Sequence, residues 1–373
     1  MRRPPRILGL IVTVVVLAVP PGLPASRLDL PSRLSDREFW RMVQSFSEPA
    51  GFFNSDNLVS NEDTFQHVIP DLTRTVGPGG VYLGVGPDQN FTYIVAIDPA
   101  LSFITDVRRG NLQVHLMYKA LVELSADRAE FLSRLFGRPR PPGLGRGSSL
   151  AALFAAYRSV APDERLYRAN LRAVIERLTV HHGFALQEGD AAGIDYALSN
   201  FFEAGPDLTF VSNGGGRRNV YPSFEALQRA TDRTGVSRGY LATEVNFVRL
   251  KAHQERNLIV PLVGNFAGTK ALAAVASYVR ERGGVMTAFY TSNVEQYLFQ
   301  DGLWGQFRAN VARLPIDRTS TFIRSCFNTC SSPGGSRAVT LLDSVPGLLA
   351  DAEAGRIRTY WDVLTHSAGA GQR

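Results

Sequence analysis

An α/β fold built on a mostly parallel sheet is the class this 373-residue sequence predicts, and three observations predict it. Short apolar runs of strand type alternate with helical patterns: "VYLGV" at 81–85, "LSFIT" at 101–105, "NLIVPLV" at 257–263 and "VMTAFY" at 285–290. The stretches between them leave room for the crossover helices that parallel strands require, and such crossovers are right-handed. The composition, 45% apolar and 20% charged, is that of a globular chain long enough to bury a large core.

The elements follow in order. Arg2, Arg3 and Arg6 precede an apolar stretch at 7–19, then Pro20, Pro21, Gly22 and a small residue, Ala25. That order predicts a signal peptide over 1–25, with an uncleaved anchor as the alternative, so the chain is expected to be exported (periplasmic or extracellular) or membrane-anchored. Residues 26–79 read as a helical extension. Ser35 and Glu38 make a capping box for "SDREFWRMVQSFS", whose Phe39, Trp40, Val43 and Phe46 share a face. A polar cluster follows (Asn54, Asp56, Asn57, Ser60, Asn61, Glu62), with a second helix expected from about 62. Asn57 and Glu62 are substrate-binding candidates there, and Asx turns with a helix cap explain the same residues.

Residues 80–330 form the main unit. A helix is expected over 88–97 and a long one over 109–135, followed by the Pro/Gly-rich connection "GRPRPPGLGRGSS". A helical insertion at about 150–204 interrupts the alternation and would serve as a lid. "DLTFVSNGGGRRN" reads as a strand entering a glycine-rich loop, and the helix at 270–282 and the strand "TSTFIRS" complete the unit. The tail, 331–373, ends in a helix from 341.

The chemistry is expected at the strand ends. Gly84 and Gly86 close the first strand and open a helix whose N–H groups face a ligand, with Asn90 in its first turn. The dinucleotide fingerprint needs a third glycine, and the equivalent position lies near Gln89. Asp106 ends the second strand, where an acid meets ribose hydroxyls. Without a pyrophosphate to cradle, this pattern suits S-adenosylmethionine better than NAD. Asn265 and Asn293 follow later strands at the same edge. Asn265 is the candidate to face a methyl acceptor and Asn293 a substrate-binding candidate, and helix capping accounts for either. His115 and Lys119, one helical turn apart, are further candidates to line the cleft, and an exposed helix face accounts for them equally.

The blocks "LGVGPDQNFTYIVAIDPALSFITDVRRGNLQVHLMYKALVELSADRAEFLSRLF" and "NLIVPLVGNFAGTKALAAVASYVRERGGVMTAFYTSNVEQYLF" carry a resemblance over about 34–325. The chain resembles an uncharacterised bacterial protein family that itself looks like the class I S-adenosylmethionine-dependent methyltransferase superfold. The resemblance implies a Rossmann-like sheet flanked by helices and S-adenosylmethionine as cofactor; relatives carry Asp at the position of Asn265, a departure that bears on catalysis. Methyl transfer asks for proximity and exclusion of water more than for catalytic side chains. Two function classes follow: a methyltransferase-like protein of unknown acceptor, or an exported, non-catalytic binding protein using the same cleft for a small-molecule ligand.

Other classes are excluded by what is missing. The basic excess is almost all Arg, since Lys119, Lys251 and Lys270 are the only lysines, and no basic run with interleaved aromatics points to nucleic acid. The histidines (His67, His115, His181, His182, His253, His366) show no metal-ligand spacing, and neither a G-x-S-x-G elbow nor a P-loop occurs. Cys326 and Cys330 are spaced for a local disulfide or stand as two buried thiols.

Overall fold

The computed structural model describes residues 29–211, 221–327, 330 and 337–370. The segment 1–25 and the glycines of the loop after residue 211 therefore lie outside the described residues. Six strands form one sheet: β1 (Val81–Gly84), β2 (Leu101–Asp106), β3 (Ile259–Val263), β4 (Met286–Ser292), β5 (Thr321–Phe327) and β6 (Ala338–Ser344). Their spatial order is β3-β2-β1-β4-β5-β6; β1 to β5 run parallel and β6 runs antiparallel to β5. The fold is thus α/β with a mostly parallel sheet, as the alternation predicts. The first three strands are buried on both faces, which is why they read as continuous apolar runs.

The helices before β2 are α1 (Asp36–Phe46), α2 (Ile69–Thr75) and α3 (Gln89–Ile97), the last being the crossover from β1 to β2. Ser35 and Glu38 close the expected capping box on α1, which buries Phe39, Trp40, Met42 and Val43 against β3 and so covers that edge strand. The second helix starts at Ile69 rather than near 62, because residues 62–68 are spent in turns that bury Glu62, Thr64 and Gln66.

Between β2 and β3 lie α4 (Arg109–Leu124), α5 (Arg128–Phe136), α6 (Leu150–Arg158), α7 (Glu164–Glu176), α8 (Asp190–Ala204), α9 (Phe224–Gln228) and α10 (Glu244–Glu255). The single helix expected over 109–135 is two. Asp127 caps α5 by accepting from the Glu130 N–H, and Ser125 Oγ donates back to Leu121 O, ending α4. The insertion packs as a helical layer on α4 and α5 around Phe136, Phe154, Phe201 and Phe224. Arg109 pins it by a bidentate pair of 2.7 Å bonds to Asp190. Where "DLTFVSNGGGRRN" reads as a strand, the described residues hold one bridge, Thr209 to Ser223, and "LTV" before His181 is a π-helical turn.

The remaining helices are α11 (Ala271–Glu281), α12 (Val294–Gln300), α13 (Trp304–Val311), α14 (Val345–Glu353) and α15 (Tyr360–Ala370). Phe266, Phe289, Phe307 and Phe322 interlock α13 with β4 and β5. The boundary drawn at 330 cuts the sheet, since β6 comes from the tail; the helix expected from 341 begins only at Val345, after that strand. Cys326 and Cys330 are joined in a disulfide at the end of β5. Among the described residues no helix is long and apolar enough to cross a membrane.

Candidate functional site

The strand order reverses direction at β1 and β4, so the crevice outside their carboxyl ends is where an open α/β sheet takes ligands. Most candidate residues gather along that edge, each committed to a partner of its own chain.

Gly84 is a glycine for a packing reason. A Cβ there would stand 1.9 Å from Asn90 Oδ1 and 2.8 Å from the Tyr82 ring. The Asn90 carboxamide fills the loop: Oδ1 accepts from Tyr82 OH at 2.8 Å, while Nδ2 donates to the carbonyls of Val85, Gly86 and Pro87. Asn90 therefore shapes the turn and does not face a ligand. Gly86 differs. It adopts φ +76°, and a Cβ would meet nothing within 4 Å, so its face is open. Gly84→Ala is expected to destabilise by about 1–3 kcal/mol through overpacking, and Gly86→Ala by only about 1 kcal/mol of backbone strain. Denaturant midpoints of the two variants check that ranking.

Asp106 ends β2 as expected, 4% exposed, with both oxygens taken. Oδ1 accepts from the Arg108 N–H (2.9 Å) and Nε (3.2 Å), and Oδ2 accepts from Arg108 Nη2 at 3.1 Å. Arg108 Nη1 goes on to the carbonyls of Ser55 and Asp56. Asn265 is likewise engaged, its Oδ1 accepting from the Ala267 N–H at 2.8 Å in an Asx turn; the helix expected from near Ala267 starts only at Ala271, so Asn265 does not cap it. Glu48 occupies the amides beside it. Its Oε2 accepts from the Asn265 N–H (3.1 Å) and its Oε1 from the N–H groups of Lys270 (2.8 Å) and Ala271 (2.9 Å). A carboxylate of the chain itself thus sits at the α11 N-terminus, where an anionic ligand would be attracted.

The segment 47–62 acts as a strap across this edge. The Gly51 N–H donates to Val107 O at 2.7 Å, Phe53 packs edge-on to Tyr297 of α12, and Ser55 Oγ donates to Val211 O. Asn57 turns the strap with φ +46°. The strap ends at Glu62, 1% exposed. Its carboxylate accepts from Tyr290 OH (2.8 Å), Ser292 Oγ (2.5 Å) and Gln89 Nε2 (2.8 Å), joining the carboxyl ends of β1 and β4. Ser292 holds φ +51°, an uncommon conformation for a side-chain-bearing residue and one that clusters at functional sites. Asn293, next along, stands at the α12 N-cap with its amide 3.4 Å from Gln296 Oε1.

Beside Gly86 lie polar atoms with no partner. His115 Nε2 donates to Gly86 O at 2.8 Å, and burial holds its imidazole down at about 4, so the neutral ring leaves Nδ1 as a lone pair. That Nδ1, both polar atoms of Asn111 one turn earlier on α4, and Gln89 Oε1 are buried without hydrogen-bond partners. Lys119, one turn beyond His115 on α4, is not in the cleft: it bonds Glu123 (2.6 Å) and Gln254 O (2.6 Å).

The open face of Gly86 with Asn111 and His115 fits a polar group. The Asp106 carboxylate is taken by Arg108, and Glu48 takes the amides of the loop after β3. Arg108, Glu48 and Asn111 do not stand out as site residues in the sequence. Asn111 leaves the one signal visible there, a polar residue one helical turn before His115. Among the described residues no group of three or more His, Cys, Asp or Glu could hold a metal ion.

No curated protein matches the chain. Residues 57–140 and 146–338 match the family described as Domain of unknown function (DUF7790), and the chain belongs to that family.

Proposed function

We propose that this chain is a small-molecule-binding protein on a Rossmann-like sheet, with a polar ligand group taken up beside Gly86, and that it is not a working methyltransferase. The observation that carries the proposal is the set of buried, unpartnered polar atoms of Asn111 and His115 at the edge where such folds bind. An unsatisfied buried polar group costs about 1–3 kcal/mol, and native chains keep such groups where function needs them. The pairing of Asp106 with Arg108 favours the binding-protein reading over S-adenosylmethionine chemistry. Export through the segment 1–25 belongs to the same proposal, because an exported binding protein has no need of a cytosolic methyl donor.

Calorimetric titration of the full chain with S-adenosylmethionine and S-adenosylhomocysteine tests the negative half. No saturable heat is expected; a saturable isotherm that Asp106→Ala abolishes would restore the methyltransferase. Asn111→Leu tests the positive half. It is expected to raise the unfolding midpoint by removing orphaned polar atoms, the usual trade of a binding site against stability. A lowered midpoint would mean that the carboxamide is a structural bond former, and the proposed site would be lost.

A further inference from the structure

On the other flank of the first turn of α4, a pocket of about 260 Å³ opens under the strap. Its walls include Phe52, Phe53 and Asp56 of the strap, Arg108 at its base, and Tyr196 of α8. The volume is below the roughly 300–1,000 Å³ of drug-sized sites, so it suits a small occupant.

Two features of the rim are unusual. Phe52 is 84% exposed and Tyr196 51%, with Tyr297 (39%) touching Phe53 beside them, so aromatic faces meet water at the mouth of a cavity. The charges are also unequal in availability. Arg108 is spent on Asp106 and on the carbonyls of Ser55 and Asp56. The Asp56 carboxylate accepts only from Tyr196 OH, at 2.5 Å, and forms no ion pair among the described residues.

A fully engaged guanidinium, a carboxylate with no ion pair among the described residues and three aromatic rings at one mouth select for positive charge. Ring faces attract organic cations, and quaternary ammonium groups above all. We infer that this pocket binds a small organic cation, an alkylated ammonium, with its charge against Asp56 and its methyl groups against Phe52, Phe53 and Tyr196. The site goes beyond the polar site beside Gly86 and uses none of its residues.

Titration of the full chain with choline and with its neutral isostere 3,3-dimethylbutan-1-ol tests the inference. Choline is expected to bind saturably, and the alcohol about ten-fold more weakly or not at all. Asp56→Asn and Phe52→Ala, both on the surface strap, are each expected to weaken choline by about ten-fold while leaving the unfolding midpoint unchanged. Equal affinities for choline and the alcohol would overturn the inference, as would choline binding that survives Asp56→Asn or an absence of saturable heat. Asn111→Leu is expected to leave choline binding intact, so failure of this site and failure of the site beside Gly86 are separately visible.

Discussion

Replacing Arg324 by Met is expected to lower stability by about 3–5 kcal/mol, the largest single effect in the molecule. Arg324 lies in the middle of β5 with no exposure, stacked on the Phe322 ring at 4.1 Å. Its Nε meets Glu295 Oε2 at 2.5 Å and its Nη1 meets Asp343 Oδ2 at 2.5 Å, both carboxylates fully buried. Asp343 also accepts from His366 Nδ1 at 2.7 Å. One guanidinium therefore ties α12, β5, β6 and α15 together. Removing it leaves two buried carboxylates without their guanidinium, whereas removing all three charges together leaves no uncompensated buried charge. Denaturant unfolding of Arg324→Met, and of the triple variant with Glu295→Gln and Asp343→Asn, checks both halves. The triple variant is expected to recover most of the loss.

Asp88 is expected to contribute a loss of stability as pH rises from about 4 to about 7, read as the difference between the profiles of the parent and Asp88→Asn, because buried His115 contributes the opposite trend to both over that range. Asp88, 2% exposed in the loop after Gly86, accepts from Tyr240 OH and Gln228 Nε2, both at 2.8 Å, and has no cationic partner among the described residues. Burial outweighs those two hydrogen bonds and pushes its carboxyl from 3.8 up to about 6. A pKa raised on folding means that the native state holds the proton more tightly than the unfolded chain. The stabilisation is complete below the unfolded value and is lost as pH rises through the folded one. The shift corresponds to about 3 kcal/mol. At pH 7 Asp88→Asn is therefore expected to be more stable than the parent by up to about 3 kcal/mol, and below pH 4 the two should coincide. Thermal or denaturant midpoints across this range measure it, and a parallel pair of profiles would sink the assignment.

The sheet is legible in the sequence because its strands announce themselves. Doubly buried parallel strands need continuous apolar residues, so "VYLGV", "LSFIT" and "NLIVPLV" stand out, as does the capped α1. β6 is not legible: as an edge strand its burial alternates, and Asp343 near its end reads as a loop residue until its ion pair with Arg324 is seen. The break between α4 and α5 is local chemistry at Ser125 and Asp127 that apolar periodicity masks. The site is half legible. Gly84, Gly86, Asp106 and Glu62 do stand at the crevice, because strand ends can be placed from strands. What no spacing reveals is that Arg108 and Glu48 reach them first. Those contacts close over the edge from a strap and a loop whose paths depend on the whole fold.

The central strand also sets a clock. Val81 pairs with Leu101 on one side and with Met286 on the other. At ribosomal rates of about 5–20 residues per second, the second neighbour arrives roughly 10–40 s after the first. Until then β1 presents an open edge of unpaired N–H and C=O groups, the kind of surface that recruits wrong partners. The segment 47–62 is made before any strand, yet Ser292 and Tyr290, on which its end closes, are made after most of the chain. The part of the molecule synthesised early must wait for the part synthesised late, and a chaperone that holds the first hundred residues would protect this protein more than one that acts on the finished chain.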